Sequence, residues 1–238
     1  MGHELTKTVA RGTISPTLEP QDPSVGEDAV IVPMKEPTIF PHLGNKIKTE
    51  DREINIIARI DEPLIVILGN VLSNEECDML IRLSQDRMER SKISTTHEVN
   101  ELRTSSSMFF DEGENELVTR IEKRLSYIMN VPVQHGEGLQ VLHYEKGQEY
   151  RAHFDFFSSA HKAANNPRIS TLVMYLSDVE EGGETYFPKL NLAVSPHKGM
   201  AVYFEYFYQE IFFCLYILHF FANNSSEAQL LIRESALF

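Results

Sequence analysis

Short strand-like runs fill the chain from Gly138 onward, and they limit the fold more strongly than any other feature of the sequence. Each run is rich in β-branched or aromatic residues, and glycine or proline residues separate several of them. Many short strands at even spacing are typical of a sandwich or a jelly-roll barrel. The predicted strands are Leu139–Glu145, Tyr150–Phe156, Ile169–Leu176, Glu184–Phe187, Leu190–Val194 and Met200–Tyr206.

Helical signals come before these strands. Ser73 and Glu76 form the pattern of a capping box, in which each side chain satisfies a free amide of the other residue. A second apolar stripe at helical spacing predicts a helix from about Glu114 to Asn130. Helices first and strands afterwards predict an α+β fold, mainly β, in which N-terminal helices buttress the barrel.

Composition excludes several classes of partner. The chain has 238 residues and a net charge of −13. This is one domain with extensions, and its charge argues against a nucleic-acid surface and against an anionic membrane. Residues 1–36 are polar and rich in proline, which predicts a mobile N-terminal extension.

Cysteine usage and the N-terminus bear on the compartment. Cys77 and Cys214 match no zinc or redox spacing, and the first residues lack the apolar run of a signal peptide. A reducing, cytoplasmic location is the expectation. The oligomeric state stays open, with a homodimer among the alternatives.

The segment from Tyr150 to Asp155 carries the chemistry. On a strand, residues i and i+2 point to the same face, so His153 and Asp155 bring an imidazole and a carboxylate together. Two histidines and one carboxylate on one face of an octahedron bind Fe(II) and leave three positions open for a co-substrate and dioxygen. The H-x-D tripeptide is by itself a weak signal, because it also occurs by chance.

Further phrases in order along the chain make the signal specific. Residues from about Ser73 to Gln209 resemble the catalytic domain of prolyl 4-hydroxylases, and the small soluble bacterial members look most similar. The resemblance implies a double-stranded β-helix, the jelly-roll barrel of Fe(II)- and 2-oxoglutarate-dependent dioxygenases. The matching phrases are Leu102–Ser106, Leu142–Glu145 with Gly147-Gln148, His153–Asp155, Arg168–Leu176, Gly182–Thr185 and Lys198–Val202.

The resemblance also implies a role for particular residues. His153 and Asp155 would be two metal ligands, while Tyr144 and Thr185 would contact 2-oxoglutarate. The implied reaction hydroxylates peptidyl proline at C4 and converts 2-oxoglutarate to succinate and CO2, with L-ascorbate rescuing oxidised iron. A proline-containing, collagen-like peptide would bind in a groove lined by Arg103, Ser105, Glu137, Tyr150 and Arg168.

The pattern breaks after Gln209. His219 stands about where the third metal ligand is expected, so one interpretation makes it that ligand. In the other, the tail is out-of-frame sequence and His219 stands there by accident. The family carries a basic residue about ten positions further on, where this chain has Gln229, and the nearest cation is Arg233.

These observations give a domain layout and competing functions. The expected dioxygenase domain spans residues 37–221, with a helical part at about 73–130 and a barrel at about 138–221; residues 222–238 form an atypical tail. The leading hypothesis is the enzyme. The alternatives are a catalytically impaired relative that only binds peptides, and a truncated product that folds poorly.

Overall fold

Two antiparallel sheets and two helices make up the described part of the chain. The computed structural model describes residues 37–91, 103–154, 168–206, 216–220 and 229–237, and in the last two ranges the description covers the backbone. Glu36–Phe238 form one compact unit. The extension expected over residues 1–36 lies outside the described residues.

The helices are α1 (Asn74–Ser84) and α2 (Glu116–Met129), and short 3₁₀ turns cover Gln85–Arg87, Val133–His135 and Pro188–Leu190. The strands before the barrel are β1 (Lys46–Lys48), β2 (Glu53–Asp61), β3 (Leu64–Gly69), β4 (Glu89–Arg90) and β5 (Ser106–Phe109). The barrel strands are β6 (Gln140–Tyr144), β7 (Glu149–Phe154), β8 (Arg168–Tyr175), β9 (Thr185–Phe187), β10 (Leu192–Val194), β11 (Ala201–Glu205), β12 (Tyr216–Phe220) and β13 (Gln229–Leu237).

Strand pairing defines the barrel. The large sheet has the order β1-β2-β3-β11-β8-β13-β6-β5-β4, and the small sheet has the order β10-β9-β12-β7. Strands β6 to β13 therefore alternate between the two sheets, apart from the β9–β10 hairpin, as a double-stranded β-helix requires. The fold class predicted from the sequence is confirmed.

Alternation along β8 separates the two faces of the large sheet. Val173 and Tyr175 join a buried cluster with Phe187 of β9 and Val194 of β10, which is the interior of the barrel. Leu172 and Met174 point the other way, into a second core that holds the apolar stripes of α1 and α2. The period of two on a strand therefore gives each sheet face its own core.

The helix boundaries follow the capping signals. Ser73 accepts a hydrogen bond from the Glu76 amide, and the Glu76 carboxylate accepts one from the Ser73 amide at 2.9 Å. Asn115 caps α2, and Asn130 ends it in the left-handed conformation at φ 56°. Local hydrogen bonds suffice for these boundaries, so the sequence predicts them well.

A buried ion network joins the helices to the large sheet. Arg124 of α2 donates to both oxygens of Glu76 at 2.9 and 2.8 Å and to Asp51 at 2.5 Å. Its side chain is 1% exposed and that of Glu76 is 7% exposed. Burial raises the pKa of Glu76, but hydrogen bonds from Arg124 and the Ser73 amide outweigh it, so the pKa is lowered.

The barrel extends beyond the end expected from the sequence. Strand β13 lies between β6 and β8 in the large sheet and pairs with both, so this sheet includes residues beyond 221, the boundary predicted from the sequence. Backbone hydrogen bonds form the pairing, and almost any side chain permits them. The atypical composition of residues 222–238 therefore did not predict β13, although this segment contains it.

Neither α1 nor α2 has the length and apolar surface to cross a bilayer.

Candidate active site

The candidate metal-binding histidine lies near the end of β7. His153 is partly buried, and its Nδ1 lies 2.8 Å from the carbonyl oxygen of Arg151. A carbonyl can only accept, so Nδ1 carries the proton. In the neutral imidazole Nε2 then has the lone pair that a metal needs. Hydrogen bonding of the second ring nitrogen to a backbone carbonyl is the usual support of a metal-binding histidine.

Strand β12 brings the second candidate histidine to the same region. It lies between β7 and β9, so the backbone of His219 is opposite Tyr150 on one side and Thr185 on the other. Ile217, two residues before His219 on the same strand, pairs with His153. The two histidines, far apart in sequence, are thus brought to adjacent strands.

The third candidate ligand, Asp155, lies outside the described residues. Consequently, within the part of the chain that the structure describes, no three ligating side chains come together. The donor set nevertheless suits Fe(II), because His153 has the required tautomer and Asp155 follows it by two residues.

The two residues predicted to contact the co-substrate both face the barrel interior. Tyr144 at the end of β6 is 1% exposed and belongs to the interior cluster. Thr185 at the start of β9 is fully buried, and its Oγ1 accepts a hydrogen bond from Tyr175 at 2.7 Å. Burial raises the pKa of Tyr175, so this hydroxyl keeps its proton and remains a donor.

Tyr175 and a second hydroxyl pair were not among the site residues predicted from the sequence. Thr171 and Tyr206 lie 2.6 Å apart between Oγ1 and Oη, and both are buried. Thr171, Val173 and Tyr175 occupy every second position of β8, so their side chains lie on the same face of the sheet. This period of two was the sequence signal that could have identified Thr171 and Tyr175. Neutral hydroxyls thus supply much of the polarity of the barrel interior.

Residues predicted to bind a peptide form two contacts. Arg168 donates to both carboxylate oxygens of Glu137 at 2.6 Å, which is a bidentate and half-buried ion pair. The Arg103 guanidinium carbon lies 4.8 Å from the ring centroid of Tyr150. The first contact is at the start of β8 and the second at the start of β7, where the Tyr150 ring also stacks on His153.

Ser105 takes a different position from its predicted groove neighbours. It is fully buried, and its hydroxyl lies 3.0 Å from that of Ser91. The contact joins the segment that follows Arg103 to the residue just after the end of β4.

The region that holds the candidate site is similar to known proteins. Residues 139–219 match the model of the 2OG-Fe(II) oxygenase superfamily, a stretch that runs from β6 to His219. This stretch is similar in sequence to that superfamily, and it lies within the double-stranded β-helix described above.

The chain is also similar in sequence to prolyl 4-hydroxylases. Probable prolyl 4-hydroxylase 10 of Arabidopsis thaliana is 44% identical over 153 residues, which are 61% of this chain and 51% of that protein. Prolyl 4-hydroxylase 5 of the same plant is 46% identical over 150 residues, again 61% and 51%. The chain therefore spans about half the length of these curated relatives.

Solved structures give the same result. The collagen prolyl hydroxylase of Paramecium bursaria Chlorella virus-1, solved as a 2OG complex, superposes with a TM-score of 0.56 at 26% identity. The match covers 73% of this chain and 95% of the viral one. A prolyl-4-hydroxylase of Pseudomonas putida shares the fold at a TM-score of 0.53 and 17% identity, over 72% and 91%. The resemblance predicted from the sequence is confirmed.

Proposed function

We propose that this chain is an Fe(II)- and 2-oxoglutarate-dependent dioxygenase that hydroxylates peptidyl proline at C4. The observation that carries the proposal is the register of β12, which places His219 beside β7 and opposite Thr185. The matched family segment ends at His219, which also supports this histidine as the third ligand.

His153, Asp155 and His219 would hold the metal. Iron, when bound, supplies dioxygen activation and the oxidative decarboxylation of 2-oxoglutarate to succinate and CO2, and L-ascorbate restores it after uncoupled turnover. The protein orients the donors: the Arg151 carbonyl keeps the His153 proton on Nδ1. The apolar barrel interior excludes water from the site, since Phe187, Val194 and Phe204 pack there.

Tyr144 and Thr185 would bind 2-oxoglutarate within the barrel. Hydroxyls alone leave the far carboxylate without a charge partner, and Gln229 supplies none. On β13, Leu231 stands opposite Tyr175. Arg233 follows two residues later and stands opposite Val173 on one side and Gln140 on the other. Two residues of a strand span about 7 Å, which an arginine side chain bridges. We therefore assign the missing positive charge to Arg233.

The Arg233→Met variant tests this assignment. A charge-assisted hydrogen bond to a carboxylate contributes about 1.5–3 kcal/mol, so we expect the Kd for 2-oxoglutarate to rise about tenfold to a hundredfold. Anaerobic titration of the Fe(II) protein, followed by its visible charge-transfer band, measures this Kd. Arg233→Lys should retain part of the affinity, and Gln229→Met is the control on the same strand. An unchanged Kd in Arg233→Met would contradict the assignment.

The peptide would bind across Arg103, Glu137, Tyr150 and Arg168, whereas Ser105 is buried and would support the groove from within. Glu137 and Arg168 neutralise each other in the structure, so the groove presents little net charge at this point. The net charge of −13 over the whole chain favours neutral or basic peptides. A collagen-like peptide is the first choice, because the viral relative is a collagen prolyl hydroxylase.

Mass spectrometry of a proline-rich, collagen-like peptide tests the function directly. We expect a gain of one oxygen per modified proline, dependent on Fe(II) and 2-oxoglutarate, with one succinate formed per hydroxyl. Succinate without peptide oxidation would indicate a different substrate. Peptide binding without succinate would identify a catalytically impaired binding module.

The proposal extends to compartment and assembly. Cys77 is a free, buried thiol whose pKa burial raises to about 12, so it stays protonated and unreactive. We also propose a reducing, cytoplasmic location, which fractionation of tagged protein would test. A homodimer is the assembly we propose, and light scattering of the purified chain measures it.

A further inference from the structure

Tyr150 and His153 stack face to face, although a regular strand would send them to opposite sides. Their ring centroids lie 3.5 Å apart, and the planes meet at 16°. Residues three apart on a strand point to opposite faces. An irregularity in β7 must therefore bring the two rings together.

The pairing of β7 with β12 contains that irregularity. His153 pairs with Ile217 and Tyr150 pairs with His219, so Arg151 and Ala152 together stand opposite the single residue Leu218. Two residues against one is the definition of a β-bulge, a feature that re-aims side chains next to active sites. The bulge turns Tyr150 to the side of His153.

Neighbouring contacts hold Tyr150 in this position. Its backbone forms a bridge with Arg103, and the Thr104 amide donates to the carbonyl of Glu149 at 2.9 Å. The Arg103 guanidinium lies over the Tyr150 ring. Because His153 covers one face of this ring at contact distance, the guanidinium lies over the other face.

Two constraints consequently act on the imidazole. The Tyr150 ring sets the plane of the His153 ring, and the hydrogen bond to the Arg151 carbonyl sets its rotation within that plane. Together they define the direction in which Nε2 points. Arg151 is itself one of the bulged residues, so the same bulge supplies both constraints.

We propose that Tyr150 is a positioning residue for the metal ligand His153, acting through its ring face, and that Arg103 holds Tyr150 in place. The inference rests on the proposed function, because it takes His153 as a ligand. It differs from a role in the peptide groove, which would use the Tyr150 hydroxyl. The ring face and the hydroxyl can be removed separately.

Titration with Co(II), followed by its visible absorption, measures metal affinity without turnover. We expect Tyr150→Ala to weaken the Co(II) Kd by about tenfold to a hundredfold, the usual effect of losing a residue that orients a ligand. Tyr150→Phe keeps the ring and should leave the Kd close to that of the wild type. Tyr186→Ala is the control, since Tyr186 lies on β9 of the same sheet and bonds to Asn191 instead.

Thermal melting verifies that each variant is folded. If Tyr150→Ala is unfolded, Arg103→Met tests the stacking of Tyr150 on His153 in its place. Arg103→Met should weaken Co(II) binding by a smaller factor than Tyr150→Ala. Wild-type affinity in a folded Tyr150→Ala would overturn the inference, as would weakening in Tyr150→Phe equal to that in Tyr150→Ala. If Tyr150→Ala does not fold, wild-type affinity in Arg103→Met overturns it instead.

The outcomes separate this inference from the proposed function. Proline hydroxylation by the wild type together with unchanged Co(II) affinity in Tyr150→Ala rejects the positioning role alone. Weakened Co(II) affinity in Tyr150→Ala, with no hydroxylation by the wild type, rejects the function and supports the positioning role. A wild type that binds no Co(II) rejects both.

Discussion

Replacing His153 by alanine is expected to abolish the visible band of the Fe(II)–2-oxoglutarate complex and to lower proline hydroxylation by more than about a hundredfold. The expected loss is large because iron contributes several kcal/mol to the reaction, and each 1.36 kcal/mol is a factor of ten in rate. Removing one of three protein ligands forfeits most of this. His219→Ala should behave in the same way if β12 supplies the third ligand, as its register indicates.

His143→Ala is the matched control for both variants. His143 lies on β6, pairs with Ser106 and Leu230, and has no predicted part in metal binding. It should retain the band and the activity. A band of wild-type intensity in His153→Ala would contradict the metal site, whereas loss in His153→Ala with retention in His219→Ala would assign the third ligand to another residue.

Replacing Glu76 by glutamine is expected to lower the free energy of unfolding by about 3 kcal/mol. Removing one partner of a buried ion pair costs about 3–5 kcal/mol, because the other charge stays buried. In Glu76→Gln, Asp51 still neutralises Arg124. We therefore expect the loss of unfolding free energy to fall at the lower end of this range. Urea denaturation of both proteins at neutral pH measures the difference. A difference below about 1 kcal/mol would mean that Glu76 contributes no more than an exposed pair.

The effect of Glu76 depends on pH in a defined direction. Its pKa is lowered in the folded protein from an ordinary value of 4.5, so its contribution is fully present above that value. The contribution is lost as the pH falls through the lowered folded pKa. The stabilities of wild type and Glu76→Gln should therefore converge in acid. Glu114→Gln is the control, because the Glu114–Arg87 pair is exposed and contributes at most about 1 kcal/mol.

Local signals explain which parts of the fold were predictable. The capping box at Ser73 and the cap at Asn130 depend on hydrogen bonds between residues close in sequence, and both are present. The strands from Gly138 to Tyr206 were identified to within one or two residues at most ends, because glycine and proline interrupt them. Strand β13 was missed, because residues 222–238 were interpreted as an atypical tail and not as part of the barrel.

The candidate site likewise has some features that the sequence predicts and others that it does not. The H-x-D tripeptide and the phrases around it predicted His153 and Asp155 as metal ligands and Tyr144 and Thr185 as co-substrate contacts, and both Tyr144 and Thr185 face the barrel interior. The position of His219 beside β7 could not be obtained from the sequence. Ile217 to His219 lie in an apolar run without alternation, and such a run leaves the strand register undefined.

What the sequence determined by itself was the class of fold, the helix ends and the residue types of the metal site, because short-range hydrogen bonds and side-chain periodicity specify them. Only the tertiary structure decided the pairing of β12 and β13, the bulge that stacks Tyr150 on His153, and the burial of Glu76 against Arg124. These depend on backbone hydrogen bonds and ion pairs between residues distant in sequence. Backbone pairing is nearly independent of side-chain identity, so no local pattern of residues records it.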